Sequence, residues 1–303
     1  MKVERLGVIL KPIKEHKWES LAVFNPGASY DGKYVHLIYR AIGKGNISVF
    51  GYAKSRDGIN FRRMKKPLLV PKPKPKFRPR HRYEFKGYED ARITKIDETY
   101  YITYVHTMPE WWGARTCLCS TRDFKNFKFY GIILPEIDDK DVVLFPEKIK
   151  DKFVLFHRIK PSIWIAYSDN LKHWKGHQIV MTPRKTKWDC AYIGPAAPPL
   201  KTNKGWLLFY HGVDFDKVYR VGFAIFDLEN PSKLLYRSDE PLMEPESYEE
   251  LWGVTPSVVY PCGVIEKDGY YYIYYGSADT VVSAARIKVK DLLDSIPVSP
   301  KDL

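Results

Sequence analysis

The sequence predicts an all-β protein with the architecture of a five-bladed β-propeller. Aromatic residues make up 15% and hydrophobic residues 45% of the 303 residues, which favours strands and a sizeable core. An aromatic-rich segment follows a tight-turn sequence five times along the chain. The ends of these segments are separated by 66, 52, 53 and 65 residues, a spacing typical of propeller blades.

Each repeat contains the same sequence of elements. The aromatic segments and their turns are KYVHLIYR at Asp31-Gly32, TYYITYVH after Asp97-Glu98, KFVLFHR at Lys150-Asp151, GWLLFYH after Asn203-Lys204 and YYYIYYG after Asp268-Gly269. A second strand and a short polar turn follow each of them, as in FGYAKSRDGINF and IWIAYSDNLKHW, with a weaker fifth copy in AARIKVKDLL. A β-sandwich is the main alternative, but it would not require five copies. The repeats leave no linker, so we expect residues 1–303 to form one domain.

An apolar strand also precedes each aromatic segment, which predicts an antiparallel hairpin. In such a hairpin the start of the first strand and the end of the second lie together, opposite the turn. Polar residues occupy these positions in several repeats, and we expect them to converge on one face near the propeller axis. They are Asn25, Arg40, Asp90, His106, Arg158 and His211.

Asp90 lies in the segment GYEDARI. Strand alternation is expected to send Asp90 and Arg92 to one face and Glu89 to the other. Asp90 has two interpretations: a structural ion pair, or a general acid whose pKa is tuned by burial and neighbouring charges.

The strand ends also carry an excess of positive charge, from Arg40, Lys140, Arg158 and His211. Several inward-facing cations repel one another unless an anion shares the space, so this set favours an anion site. Each cation could instead pair with a nearby acid such as Asp141 or Asp189. Asp279, in YYGSADT, could bind sugar hydroxyls, and aromatic side chains could pack on sugar rings.

The net charge of +13 raises nucleic acid as a partner. The basic residues are concentrated only at Pro71–Arg82, where alternating prolines predict an extended loop or an anion-attracting rim, so we do not expect nucleic-acid binding. The four cysteines lack metal or disulfide spacing, and Walker, Rossmann, GxSxG and HExxH motifs are missing, so no metal or nucleotide cofactor is expected. Without a signal peptide or an apolar stretch of about 18 residues, the sequence predicts a soluble cytoplasmic protein without membrane contact.

Six segments of the sequence together resemble glycoside hydrolase family 130, the mannoside phosphorylases and related β-mannosidases. They are FNPG (24–27), GYEDAR (87–92), KDVVLFPEKI (140–149), WDCAYIGPAAPP (188–199), GWLLFYHGV (205–213) and YYGSADT (274–280). The resemblance implies a five-bladed propeller that cleaves β-mannosidic bonds, β-1,2 or β-1,4 linked, with inversion. It implies manno-oligosaccharide as substrate, inorganic phosphate as co-substrate and α-mannose 1-phosphate as product. Members of the family often assemble, so the resemblance also admits a homo-oligomer.

The resemblance also implies roles for individual residues. Asp90 matches the catalytic acid, which passes its proton to the glycosidic oxygen through a hydroxyl of the mannosyl unit while phosphate attacks from the opposite face. The residues that match the mannosyl-binding set are Asn25, Arg40 and Asp279. Those that match the phosphate-binding set are Lys140, Arg158, His211 and Tyr219.

One position departs from the family pattern. Many phosphorylases have a lysine where this sequence has Tyr192, and losing one cation weakens a phosphate site by about 1 to 3 kcal/mol unless the bond is replaced. The hydroxyl of Tyr192 can itself donate a bond, so Tyr192 stays in the predicted phosphate set. The alternatives are an inverting hydrolase, a mannosyltransferase that uses another donor, and a non-catalytic sugar-binding propeller. A hydrolase would need a base about 6.5 to 9.5 Å from Asp90, for which Glu249 and Glu250 are the candidates.

Overall fold

The structure is a computed structural model, and it describes residues 2–71, 86–107 and 114–297. Residues 72–82 of the basic Pro71–Arg82 segment therefore lie outside the described residues. None of the helices in the described ranges is long and apolar enough to cross a membrane.

The described strands form five antiparallel blades. Strand β1 (Glu4–Leu10) precedes the first of them. Blade one contains β2 (Ala22–Tyr30), β3 (Val35–Ile42), β4 (Ile47–Ser55) and β5 (Arg62–Arg63). Blade two contains β6 (Lys86–Ile96), β7 (Thr99–Thr107), β8 (Arg115–Thr121) and β9 (Lys128–Ile132). Blade three contains β10 (Lys140–Leu144), β11 (Phe153–Ile159), β12 (Ser162–Ser168) and β13 (Lys175–Met181). Blade four contains β14 (Tyr192–Pro195), β15 (Leu200–Thr202), β16 (Gly205–Val213), β17 (Tyr219–Phe226) and β18 (Leu234–Arg237). The helix α1 (Tyr248–Leu251) leads to blade five, which contains β19 (Val259–Lys267), β20 (Tyr270–Ser277) and β21 (Val281–Lys288) and is followed by α2 (Val289–Asp294).

The predicted five-bladed propeller is confirmed. The five aromatic segments are β3, β7, β11, β16 and β20, and each pairs antiparallel with a neighbouring strand on both sides. Tight turns make this possible: Lys150 and Asp151, for example, both have positive φ (50° and 63°) in the turn before β11, as hairpin turns that match strand twist require. The assignment of residues 1–303 to a single domain stays a prediction.

Two long-range pairings connect the blades, and the repeats did not predict them. Blades one and two share a short parallel pairing, in which Ile47 and Ser48 of β4 lie beside Lys86 and Gly87 of β6. Strand β1 pairs antiparallel with β21 over Glu4 to Leu10. The amino-terminal strand therefore completes the last blade, which ties the two ends of the ring together.

Apolar side chains fill the space between blades. Phe145 and Phe156 of blade three lie 4.9 Å apart by ring centres, and they pack against Trp206 and Phe226 of blade four at 5.1 and 4.7 Å. All four are buried. These ring contacts hold blade three against blade four, which helps to fix the positions of the polar groups at their inner strand ends.

Candidate active site

A cavity of about 210 Å³ lies where the inner strand ends of all five blades meet. Its lining residues are mostly polar or charged. They are Asn25, Arg40, Asp90, Lys140, Arg158, Tyr219, Thr255, Val258, Tyr260 and Asp279. Seven of these were singled out in the sequence. The other residues that were singled out, His106, His211 and Tyr192, do not line the cavity.

Asp90 occupies a β-bulge at the inner end of β6. The register with β7 shifts between Glu89 and Arg92, and Asp90 has a φ of 53°, in the left-handed region that aspartate tolerates better than most residues. Its Oδ1 accepts hydrogen bonds from Asn25 Nδ2 at 2.9 Å and from Arg40 Nη1 at 3.4 Å. No described residue donates to Oδ2, so one oxygen of this buried carboxylate is left for a ligand.

The bulge also changes the direction of Glu89. Strand alternation predicted that Glu89 would point away from Asp90, and this prediction is wrong. Glu89 Oε1 accepts a bond from Arg40 Nη2 at 2.9 Å, and Oε2 accepts one from Lys140 Nζ at 3.2 Å. The extra residue in the bulge breaks the two-residue period, so both carboxylates reach the same arginine.

Asn25 is also placed by an irregular strand. The register of β2 shifts between Phe24 and Gly27, and Asn25 has a φ of 48°. Gly276 on β20 makes the close approach possible, since a Cβ there would lie 2.1 Å from Asn25 Oδ1. The asparagine can therefore bond Asp90 only because blade five has no side chain at this point.

Asp279 lines the same cavity as Asp90. Its Oδ2 accepts a bond from Thr255 Oγ1 at 2.6 Å. Burial raises the pKa of Asp279, and the charges of Asp90 and Glu89 raise it further. The bond from Thr255 and the positive charge of Arg40 oppose this rise in pKa.

A buried ion-pair cluster holds the other side of the cavity. Asp141 Oδ1 accepts hydrogen bonds from Arg92 Nη2 at 2.9 Å and from the hydroxyl of Tyr260, and Oδ2 lies 2.9 Å from Arg158 Nη1. Although burial alone would raise it, Arg158 and Arg92 hold the pKa of Asp141 well below its usual range. One of the two acids named as a salt-bridge partner thus does bind a site cation. Among the described residues the other, Asp189, pairs with Arg184 and Arg237 instead.

His211 lies behind the cavity wall. It is fully buried, its ring centre is 4.8 Å from that of Tyr260, and its Nε2 is 3.4 Å from Arg158 Nη1. Burial, with the nearby charge of Arg158, lowers the pKa of His211 to about 3. His211 is therefore neutral near pH 7, and the prediction that it adds a positive charge to the site is wrong.

Two tyrosines connect the cavity to blade three. The hydroxyl of Tyr219 lines the cavity and is hydrogen bonded to the hydroxyl of Tyr192. The ring of Tyr192 lies under two cations, with Arg158 Cζ at 5.6 Å and Lys160 Nζ at 4.3 Å from its centre. Tyr192 does not line the cavity itself, but it contacts Tyr219 and Arg158, which do.

The two glutamates considered as a hydrolytic base lie elsewhere. Glu250 is buried in α1, where it accepts bonds from Arg5 Nε at 3.0 Å and Tyr275 Oη at 2.6 Å. Neither Glu249 nor Glu250 lines the cavity. The carboxylates that line it, among the described residues, are Asp90 and Asp279.

Four contributors to the site were not predicted as functional residues. They are Glu89, Asp141, Thr255 and Tyr260. For Asp141 a signal was present, since it directly follows Lys140 in the segment KDVV.

The complete arrangement places a carboxylate with one open oxygen beside two cations, Lys140 and Arg158, within one small cavity. It can bind a polyhydroxyl ring, donate or accept a proton, and hold an anion.

The chain is similar in sequence to proteins of one family. The profile of glycoside hydrolase family 130, described as beta-1,4-mannooligosaccharide phosphorylase, matches residues 4–297. The chain is 42% identical over 302 residues to a 1,2-beta-oligomannan phosphorylase of Thermoanaerobacter sp. (strain X514), covering 96% of this chain and 99% of the relative. It is 46% identical over 295 residues to a beta-1,2-mannobiose phosphorylase of the same organism, covering 92% and 94%.

A solved structure gives the same result. The beta-1,2-mannobiose phosphorylase of Listeria innocua, in complex with beta-1,2-mannobiose, superimposes with a TM-score of 0.84 at 28% identity, covering 97% of this chain and 99% of that one. The motifs, the propeller and the extent of these matches lead to one assignment. The chain belongs to glycoside hydrolase family 130, the family of the mannoside phosphorylases.

Proposed function

We propose that this protein cleaves β-1,2-linked manno-oligosaccharides by inverting phosphorolysis and releases α-mannose 1-phosphate. The observation that carries the proposal is the cavity itself, in which Asp90, with one open oxygen, lies beside the cations Lys140 and Arg158. The linkage follows the two relatives of 42% and 46% identity, whose names specify β-1,2 substrates. Inorganic phosphate is the co-substrate, and no cofactor is proposed.

Asp90 is the general acid in this mechanism. Asn25 and Arg40 bind Oδ1 and fix the carboxyl group, while Oδ2 points to the mannosyl unit. The proton passes from Asp90 to a mannosyl hydroxyl as that hydroxyl gives its own proton to the glycosidic oxygen. The bond from the anomeric carbon to that oxygen breaks, and the acceptor sugar leaves as a neutral alcohol.

Phosphate is the nucleophile. Lys140 and Arg158 each keep one carboxylate partner, Glu89 and Asp141, which hold their ends at the cavity wall. The Tyr219 hydroxyl is a third donor at the same wall. A phosphate oxygen forms the new bond to the anomeric carbon on the face opposite the leaving oxygen, which inverts the configuration.

Phosphate is favoured over water because water needs a base. An inverting hydrolase requires a second carboxylate about 6.5 to 9.5 Å from the acid. Glu250 is bonded to Arg5 and Tyr275 outside the cavity, and Asp279, which lines it, already accepts a bond from Thr255 and lies near the charge of Arg40. Lys140 and Arg158, which line the same cavity as Asp90, suit an anionic nucleophile.

The test is product analysis of the purified protein with β-1,2-mannobiose, with and without phosphate. We expect mannose 1-phosphate only when phosphate is present, and Asp90→Asn should lower kcat by about 10²- to 10⁴-fold. Asp169→Asn is the matched control, because Asp169 is exposed and pairs only with Lys152 at 3.5 Å among the described residues. It should leave the rate unchanged.

Other products would overturn the proposal in distinct ways. Free mannose at a rate indifferent to phosphate indicates hydrolysis, and cleavage of β-1,4-mannobiose alone indicates the other linkage. Sugar binding without turnover indicates a non-catalytic propeller. The cytoplasmic location and assembly into a homo-oligomer stay predictions from the sequence.

A further inference from the structure

Lys160 is an exposed lysine next to the proposed phosphate side of the cavity. It follows Arg158 by two residues, in the turn between β11 and β12. Its Nζ lies 4.3 Å from the centre of the Tyr192 ring, a cation–π contact that attracts the ammonium group to the ring face. The turn is fixed in place, because Pro161 O accepts a hydrogen bond from the backbone N of Ile193 at 3.0 Å.

The charges around Lys160 are mainly positive. Burial lowers the pKa of Lys160, and the charges of Arg158 and Lys140 lower it further. Asp141 and Asp138 oppose this only in part. The three cations therefore act on one another, as expected for like charges that lie close together.

Lys160 differs from its two neighbours in its partners. Glu89 pairs with Lys140, and Asp141 pairs with Arg158. Within the described ranges Lys160 forms no ion pair with a carboxylate. Of these three cations it is therefore the one without a carboxylate ion-pair partner in the described part of the chain, and a bound anion would supply such a partner.

Tyr192 connects Lys160 to the cavity. The ammonium group rests on the ring, and the hydroxyl of the same ring is hydrogen bonded to Tyr219, which lines the cavity. A lysine has a flexible stem of four carbons and a compact charge. Lys160 can therefore move from the ring face toward an anion without any change in the backbone.

We propose that Lys160 is a third cationic ligand of the phosphate that Lys140 and Arg158 hold, and that the ring of Tyr192 positions it. This inference rests on the proposed function, since phosphate is the co-substrate there. It makes Lys160 a determinant of specificity for an anionic nucleophile. No bond is made or broken by Lys160 itself.

The experiment is direct measurement of inorganic phosphate binding by calorimetry, combined with phosphorolysis kinetics. The variants are Lys160→Met, which removes the charge and keeps a stem of similar length, and Lys160→Arg, which keeps the charge. Lys172→Met is the matched control, because Lys172 is an exposed lysine of the same blade whose backbone N donates a hydrogen bond to Asn170 Oδ1 at 3.0 Å. All three should fold, since both positions are exposed.

We expect Lys160→Met to raise the Kd of phosphate, and the KM for phosphate, about tenfold, the effect of losing one charge-assisted bond. The KM for the mannoside should not change. Lys160→Arg should restore most of the affinity, and Lys172→Met should bind phosphate like the unmodified protein.

Equal phosphate affinity in Lys160→Met and Lys172→Met overturns the inference, and so does a protein that binds no phosphate. Weaker binding in Lys160→Met alone supports it, even if no mannoside is cleaved. In that last case the proposed function fails and the inference about Lys160 stands, so the two failures are distinguishable.

Discussion

Replacing Asp141 with asparagine removes the negative charge that two buried arginines share. Arg92 is 1% exposed and donates to Oδ1 at 2.9 Å, while Arg158 Nη1 lies 2.9 Å from Oδ2. The Tyr260 hydroxyl also donates to Oδ1. An asparagine keeps the shape but turns an NH₂ group toward one of these donors, and it leaves two guanidinium charges without a full counter-charge.

The expected loss is large because the cluster is buried. Removing one partner of a buried ion pair costs about 3 to 5 kcal/mol. The entropy of unfolding is about 2.1 cal/mol/K per residue, or about 0.6 kcal/mol/K for this chain, so Tm should fall by about 5 to 8 °C. Arg158 also loses its support at the cavity wall, so the KM for phosphate should rise as well.

Scanning calorimetry of Asp141→Asn and the unmodified protein at pH 7 measures this difference. Asp169→Asn, an exposed pair with Lys152, should shift Tm by less than about 1 °C. The pKa of Asp141 is lowered from 3.8. The stabilisation that charged Asp141 provides is therefore complete above that value and is lost as the pH falls through the folded-state pKa. The difference in Tm between Asp141→Asn and the unmodified protein should persist at pH 5 and narrow below pH 4. A Tm within about 1 °C of the unmodified protein at pH 7 would refute the reasoning.

Two further substitutions probe the site. Burial raises the pKa of Asp279, so the folded state binds its proton more tightly than the unfolded state, and the charged group destabilises the fold above that pKa. The Tm of Asp279→Asn should be higher than that of the unmodified protein at pH 7 and equal to it below pH 3.8. The variant should be inactive. A lower Tm at pH 7 contradicts this expectation. Gly194→Ala would place a Cβ 2.5 Å from the His211 ring and 2.7 Å from Asp141 Oδ2, which should cost about 1 to 3 kcal/mol and lower Tm by about 2 to 5 °C. A Cβ added at Gly45 would have no atom within 4 Å, so Gly45→Ala should leave Tm unchanged in the same measurement. Equal Tm values for the two variants would show that the residues around Gly194 move to accommodate the added methyl group.

The sequence predicted the blades because each is a local structure. Hairpin turns and the aromatic strands they join lie within about a dozen residues of one another, so their pattern is visible in one repeat and confirmed by the next four. The closure of the ring was not predictable in this way. Strand β1 pairs with β21 across nearly the whole chain, from Glu4 beside Arg286 to Leu10 beside Val282, and nothing in its short apolar run identifies that partner.

The site was predictable as far as the strands are regular. Hairpin geometry gathered Asn25, Arg40, Asp90 and Arg158 correctly on one rim, since it needs only the positions of strand ends. It failed at Glu89, where a bulge reverses the expected direction of the side chain. It also failed for the charge of His211, because that depends on burial by residues of other blades rather than on its own strand.

Two carboxylates explain how the site can hold its cations without a ligand: Glu89, which was expected to point away, and Asp141, which was named only as a salt-bridge partner. Glu89 pairs with Arg40 and Lys140, and Asp141 pairs with Arg92 and Arg158. Each acid therefore joins a residue of blade one or two to a cation of blade three, and phosphate need not bind before the fold is stable. Lys140 and Arg158 each share their carboxylate with a second cation, so neither charge is fully offset and both can bind an anion. Tyr192, whose ring holds Lys160 near the same wall, fits this arrangement. A lysine in place of Tyr192 would add a further fixed cation, and it would increase the repulsion among the cations that Glu89 and Asp141 only partly offset.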